Sequence, residues 1–401
     1  MTTMGYDFTY DFDEIIDRRR TNSSKWDTVP GADVGVNYPV DDLLPLWVAD
    51  MDFRAAPEIT EALAEKVKHG IFGYPIVPES CYDAIVEWEE KRHGWHIEKE
   101  WIRLAPGAVP AAHMAVQAYC QTGDQVIVQR PVYYPFFRTI LNNGAQIVNN
   151  PLKISGDSYE IDFDDLERQA AHPRTTFFIL CNPHNPVGRV WRRDELERTG
   201  EICAAHDVLV LVDELHCDIV MPGYRHTPFA AINSTCRDNS VIVIAPSKTF
   251  NLAGLVGTVV VIPNRRLRQR FENILTQNSV GRPNMFAIAG MEAAYRHGGK
   301  WFDEALKYIH GNYEFLVNHL RENLPQVKPF RLEGTYLAWL DFRALETDPD
   351  RLQKRMLTEA KVWLDEGKIF GPEGNGFERI VLACPRSILK EALDRIAGAF
   401  R

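Results

Sequence analysis

The stretch Val208-Leu209-Val210-Leu211-Val212-Asp213-Glu214 sets a run of branched apolar residues immediately before two acids. A run that is apolar at every position, instead of at alternate ones, suits a strand covered on both faces, as in a parallel sheet flanked by helices. Downstream, Val241-Ile242-Val243-Ile244 repeats the pattern and delivers Ala245-Pro246-Ser247-Lys248-Thr249. Upstream, Val126-Ile127-Val128 and Thr176-Phe177-Phe178-Ile179-Leu180 repeat it again. Ile102-Arg103-Leu104-Ala105, Gln146-Ile147-Val148 and the run from Val256 to Ile262 complete the strand candidates. Helical segments separate them, one after Pro106-Gly107-Ala108-Val109-Pro110 to about Cys120 and one from Arg193 to His206. This alternation predicts an α/β fold with a mostly parallel, doubly wound sheet. Ligands of such sheets gather beyond the carboxyl ends of the strands, and the Gly107 turn, Tyr133, Asn185, Asp213 and Lys248 all fall at that edge.

Before this region, residues 1–48 are polar and turn-rich and read as an arm. Leu46-Trp47-Val48-Ala49 reads as a short strand entering Asp50-Met51-Asp52-Phe53. Pro57 opens a helix to about Lys68, with Ile59, Ala62, Leu63 and Val67 at helical spacing, and a second helix runs from about Cys81 to Gly94. After about residue 290 the pattern changes. One long helical stretch covers Tyr295 to Leu320, and Tyr336–Leu340 and Arg379–Ala383 read as strands. A helix from about Asp350 to Lys361 lies between those strands, and Ile388–Phe400 closes the chain as a helix. The expected organisation is an arm or part of the small domain (1–48), a large domain (49–290) and a smaller α+β domain (291–401).

Composition narrows the function classes. The chain has 401 residues, 45% hydrophobic and 25% charged, so a sizeable core is available without disulfides or metals. A net charge of −10 with no basic run that stands out, Arg265-Arg266-Leu267-Arg268-Gln269-Arg270 reading as a solvated helix face, disfavours nucleic-acid binding. The seven cysteines are scattered, odd in number and lack a Cys-x-x-Cys pair, which points to reduced thiols in a cytoplasmic protein and to no metal site. No apolar run reaches membrane-spanning length, and Asp7, Asp11, Asp13 and Glu14 break any signal-like pattern.

Taken singly, the residues at the sheet edge have bland readings. A lysine after a strand is more often a surface charge, a strand-terminal aspartate a helix cap, and Asn before Pro a turn signal. The turn at Gly107, with a helix following, is a physical anion site because the first N–H groups of a helix lack partners and the dipole is positive there.

The longer motifs change the balance. Asn182-Pro183-His184-Asn185-Pro186-Val187-Gly188, Asp213-Glu214-Leu215-His216, Ser247-Lys248-Thr249-Phe250-Asn251-Leu252-Ala253-Gly254-Leu255 and Cys384-Pro385-Arg386 resemble, in order and spacing, the fold-type-I pyridoxal-phosphate enzymes of aminotransferase class I/II. The resemblance covers essentially residues 45 to 401 and implies the PLP-dependent transferase fold with pyridoxal 5′-phosphate as cofactor. By resemblance, Lys248 bonds the cofactor aldehyde and Asp213 partners the pyridine nitrogen. Asn185 donates to the ring oxygen, Tyr133 stacks on the ring and Arg386 clamps the substrate carboxylate. His216 stands where several relatives have a tyrosine, and His184 reads as a loop packer.

Trp47-Val48-Ala49-Asp50-Met51-Asp52-Phe53, with Phe72-Gly73-Tyr74-Pro75 downstream, is similar to the cystathionine β-lyase and cysteine C–S lyase subgroup. Ala49 and Met51 replace the Gly and Pro of ordinary aminotransferases, which puts Ala49 at the substrate. Where many class I members carry a phosphate-binding arginine, this chain has Val256. The phosphate would then rest on the backbone of Ala108 and Val109, on Ser247, and on Tyr74 of a neighbouring copy, which implies a homodimer with shared sites. The implied reaction is β-elimination from a sulfur-bearing L-amino acid, giving a thiol, pyruvate and ammonia. The alternative is amino transfer to a 2-oxo acid by the same residues. A regulatory or DNA-binding role through an added module is disfavoured, since residues 1–44 are short and acidic. The pocket walls are expected from Tyr6, Trp26, Tyr38 or Trp47.

Overall fold

The computed structural model describes residues 9–31 and 42–401; Tyr6 and Tyr38 lie outside them. Seven strands form the central sheet: β1 (Ile102–Ala105), β2 (Gln125–Val128), β3 (Gln146–Asn149), β4 (Thr175–Cys181), β5 (Leu209–Asp213), β6 (Ser240–Ile244) and β7 (Thr258–Val261). Their spatial order is β1-β7-β6-β5-β4-β2-β3. The five strands from β6 to β3 run parallel, and β7 is antiparallel to both neighbours. The mostly parallel sheet expected from the apolar runs is therefore present. Alternation along β5 shows why those runs are apolar throughout: Val210 and Val212 join one hydrophobic cluster, Leu209 and Leu211 the cluster on the other face.

The longer helices are α1 (Pro57–His69), α2 (Glu79–His93), α3 (Ala108–Tyr119), α4 (Arg193–Ala205), α5 (Arg265–Gln277), α6 (Met285–His297), α7 (Gly299–Asn323) and α8 (Arg386–Phe400). A second, antiparallel sheet comprises β8 (Lys328–Pro329), β9 (Leu337–Asp341), β10 (Asp365–Glu366) and β11 (Phe377–Val381), in the order β8-β9-β11-β10.

Three local expectations change. The single long helix expected over 295–320 is two helices, α6 and α7, meeting at Gly298. A Cβ there would lie 2.6 Å from Cε1 of Phe250, so glycine admits the ring that follows the Lys248 turn. The expected strand at Leu46–Ala49 lies earlier, at Leu44–Pro45, paired in parallel with Val362–Trp363. Beyond Leu46 the chain leaves the ladder and bends across the site. The expected helix from 350 to 361 is α-helical only over Pro349–Arg355, then widens to a π turn over Met356–Ala360. All seven cysteines are free thiols, and among the described residues no helix is long and apolar enough to cross a membrane.

Candidate active site

The carboxyl ends of the parallel strands open into a cavity of about 370 Å³. β6 supplies the lysine. It ends at Ile244, Ala245 stays extended, and Pro246 starts a one-turn helix over Pro246–Thr249 that turns Lys248 inward. Lys248 Nζ donates to the carbonyl of Ala49 at 2.7 Å. Burial, reinforced by the charge of Arg379, lowers its amine to about 8. On the neighbouring strand β5, Asp213 pairs in register with Val243 of β6, which sets the carboxylate beside the lysine turn. Its Oδ1 accepts from the Leu215 N–H at 3.1 Å. Burial raises its carboxyl to about 6, against the pull of that N–H and of Lys248.

The loop after β4 brings in Asn185, whose Oδ1 accepts from Arg379 Nη1 at 3.0 Å and so leaves its amide N–H free to donate. Tyr133, after β2, lines the cavity with its ring edge-on to Phe136 at 5.5 Å, and burial raises its phenol above the usual range. At the far end Gly107 has φ 112° and ψ 158°, a backbone conformation that side chains disfavour. It turns the chain from β1 into α3 so that the helix begins at Ala108, where Ala108, Val109 and Ser247 line one end of the same cavity. Unpartnered N–H groups at that helix start form an anion cradle. Ala49 and Trp47 line the cavity as well.

His216 also lines the cavity, edge-on to Tyr336 at 5.7 Å. Burial, then the charges of Lys248 and Arg379, hold its imidazole well below the usual range and therefore neutral. His184 is buried behind the site. Its Nε2 lies 2.9 Å from the Pro131 carbonyl, and burial lowers it to about 4.

One expected site residue is placed elsewhere. Arg386 does not line the cavity. The chain turns at Pro385 into α8, and the Arg386 guanidinium bonds Asn312 and lies over the rings of Tyr308 and Phe315, both on α7. The arginine inside the cavity is Arg379 on β11, buried and facing Asn185. The sequence signal was present: Glu378-Arg379 interrupts an otherwise apolar strand. Tyr74 stands 97% exposed on the loop between α1 and α2, away from this chain's own cavity.

Two supports were not foreseen. The arm is tied to the Asp50–Phe53 stretch through fully buried Lys25, whose Nζ lies 2.6 Å from Asp52 Oδ2. Arg18 bonds both Asp50 and Asp52 at 2.6 Å, and Trp26 Nε1 donates to Asp52 at 3.0 Å. Trp26 thus braces the wall from behind while Trp47 forms it. On the other side of that stretch Asn251 exchanges hydrogen bonds with the backbone of Met51 at 3.0 and 2.9 Å. The second support lies beneath the lysine turn. Asp218 accepts from Thr249 Oγ1 at 2.6 Å and from Trp88 Nε1 at 3.1 Å, and lies 2.9 Å from His93 Nε2. It pins the loop after Asp213 and the turn bearing Lys248 to one helix, α2.

A buried amine and carboxylate on adjacent strands, with an anion cradle across the cavity, are the parts of one well-populated enzyme class. The chain belongs to the aminotransferase class I and II family, whose sequence pattern matches residues 41–396. Over 388 residues it is 46% identical to cystathionine beta-lyase PatB of Bacillus subtilis, covering 97% of this chain and 99% of that protein. It is 32% identical to the protein MalY of Escherichia coli over 98% of this chain and 99% of that one. Its fold matches crystalline cystalysin of Treponema denticola, which contains a pyridoxal 5′-phosphate cofactor, with a TM-score of 0.93, 38% identity, and 97% and 98% of the two chains covered. The donor set here fits that cofactor: an amine for its aldehyde, a carboxylate for its ring nitrogen, an amide donor, an aromatic face and a helix start for its phosphate.

Proposed function

We propose that the protein is a pyridoxal-phosphate-dependent carbon–sulfur β-lyase, acting on L-cystathionine or related S-substituted L-cysteines and releasing a thiol, pyruvate and ammonia. The observation that carries the lyase over an aminotransferase is the near full-length likeness to the Bacillus subtilis cystathionine beta-lyase. When bound, the cofactor supplies an electron sink for the charge left at the substrate α-carbon. The residues of this chain do the rest. Lys248 holds the cofactor and then moves the α-proton, for which an amine near 8 is well matched to neutral pH. Asp213 keeps the ring nitrogen protonated, Asn185 donates to the ring oxygen and Tyr133 covers the ring. Ala108, Val109 and Ser247 receive the phosphate, and Ala49 borders the substrate. The carboxylate clamp is Arg379 in place of Arg386, because a guanidinium fork suits a carboxylate and Arg379 alone of the two faces the cavity.

Tyr74 completes the phosphate site of a second copy. Supporting this is its exposure on a loop where Ile71, Phe72 and Ile76 are also bare, an apolar surface of the kind that a homodimer covers. Free thiols throughout support a cytoplasmic location. The test supplies cystathionine, cysteine and S-methylcysteine to the pure enzyme and assays pyruvate. Turnover that instead requires a 2-oxo acid and yields no pyruvate would establish amino transfer. Mixing inactive Lys248→Ala and Tyr74→Ala chains should restore activity if sites are shared, and restoring none would refute the shared site.

A further inference from the structure

Arg379 offers its ligands two forks. A guanidinium presents a carboxylate with paired N–H groups along its end, Nη1 with Nη2, or along its side, Nε with Nη2. Both forks use Nη2. In this structure both Nη2 hydrogens are already committed, one to the Trp47 carbonyl at 2.7 Å and one to Asp365 Oδ2. Nη1 is committed to Asn185, while Nε is buried without a partner. A carboxylate arriving from the cavity therefore finds two separate open donors, Nε and the second Nη1 hydrogen, which do not share an edge, and no open fork. Asp365 is itself a wall of that cavity and is buried, so its charge opposes a second carboxylate at the same guanidinium.

We propose that Asp365 and the substrate carboxylate compete for Arg379, and that the substrate gains its two-pronged grip only as Asp365 takes up a proton and yields Nη2. This rests on Arg379 being the substrate clamp. The Trp47 carbonyl is the weaker rival, being neutral and fixed by the backbone. The groups facing Asp365 are Arg379 and Glu378 from β11, Glu366 beside it on β10, and Tyr133 and Tyr134 from the loop after β2. Burial raises Asp365 to about 6, Arg379 pulls it down and Glu366 pushes it up. A second carboxylate on Arg379 pushes it further up. Above about 6 the free enzyme carries the charged, competing form, and below that pH Arg379 is released in advance. Carboxylate affinity therefore falls as pH rises through that value, until the higher value of the occupied site is passed.

The probe is propionate, a carboxylate with no amine to react with the cofactor. Titration into the holoenzyme by calorimetry, in buffers of different ionisation enthalpy, counts protons taken up. At pH 7.5, where Asp365 of the free enzyme is charged, propionate binding should take up protons from the buffer. Asp365→Asn should abolish the uptake and tighten binding by up to about thirtyfold, the ratio for a group titrating near 6; the gain should vanish by pH 5.5. Arg379→Lys, which keeps the charge and loses the fork, should weaken propionate at least tenfold. Propionate that binds wild type without proton uptake, with Arg379→Lys still weakened, overturns the competition and leaves the clamp standing. Undiminished binding to Arg379→Lys, or none to wild type, overturns the clamp as well. The proton count uses wild type alone, so a variant that does not fold leaves the test intact.

Discussion

Replacing Lys25 with methionine should destabilise the protein and loosen its active site from a distance. The side chain is fully buried, with Nζ 2.6 Å from Asp52 Oδ2, 3.4 Å from Asp50 Oδ1 and 3.3 Å from the Asp50 carbonyl. Methionine fills the same space but takes from Asp52 one of its two counter-charges, each at 2.6 Å. Removing one partner of a buried pair costs about 3–5 kcal/mol. Asp52 keeps Arg18 and Trp26, so the lower end applies, about 3 kcal/mol. With about 2.1 cal/mol/K of unfolding entropy per residue, a chain of 401 residues melting as a unit should lose roughly 3–4 °C. The pH dependence supplies the sign. Burial would raise Asp52, but Lys25 and then Trp26 and Arg18 bring it below the ordinary carboxyl value. The stability it contributes is present above about pH 4 and is lost as pH falls through the lower folded value. Without Lys25, burial dominates and Asp52 titrates higher, so the deficit of Lys25→Met should be largest at neutral pH and shrink toward pH 4. Lys25→Met/Asp52→Asn should recover part of the loss, since no unpaired charge remains. Scanning calorimetry from pH 4 to 7.5 checks each point. An unchanged Tm at pH 7, or a double variant no better than the single, would refute the buried-charge reasoning.

Lys248→Ala should lower pyruvate production by about 10²–10⁴-fold, and borohydride treatment should no longer fix the cofactor to the chain by mass spectrometry. Thr249→Val removes the 2.6 Å donor to Asp218 and should cost about 1–3 kcal/mol by denaturant midpoint; Thr249→Ser should restore it, and a serine variant as weak as valine would discount the hydrogen bond. Arg379→Ala should raise KM by roughly thirtyfold or more, from the 2–5 kcal/mol carried by a buried charge pair. Arg386→Ala should leave KM near wild type and lower Tm through lost packing on Tyr308 and Phe315; the reverse pattern would return the clamp to Arg386.

What was legible in the sequence is what local pattern encodes. The strands of the central sheet announce themselves because both faces are covered, and Asp213, Asn185, Tyr133 and Lys248 reach one cavity because each follows such a strand. The two arginines separate for the opposite reason. Arg386 follows a recognisable turn motif, yet a helix starts there and carries it onto α7. Arg379 sits within a strand, where charge is expensive to bury, and that anomaly marks the arginine that lines the cavity. Asp365 gave no signal at all, because β10 is two residues long and its role depends on a partner from β11.

The arm was the largest omission, and it bears on the chemistry. Ion pairs between distant segments leave no periodicity, so nothing in the polar, turn-rich run of residues 1–48 singles out Arg18 or Lys25. In the fold they grip Asp50 and Asp52 from one side while Asn251 grips Met51 from the other. The stretch between them carries Ala49, whose carbonyl accepts from both Lys248 and Tyr336, at 2.7 and 2.8 Å. An acceptor held from both sides fixes where the reactive amine rests. The acids of Asp50-Met51-Asp52-Phe53 thus help fix the carbonyl that holds Lys248, as do the Met51 backbone bonds to Asn251. It follows that shortening the arm ahead of Trp26 should change the basicity of Lys248 and not only the melting point, since the carbonyl that holds the amine would lose its fixed position.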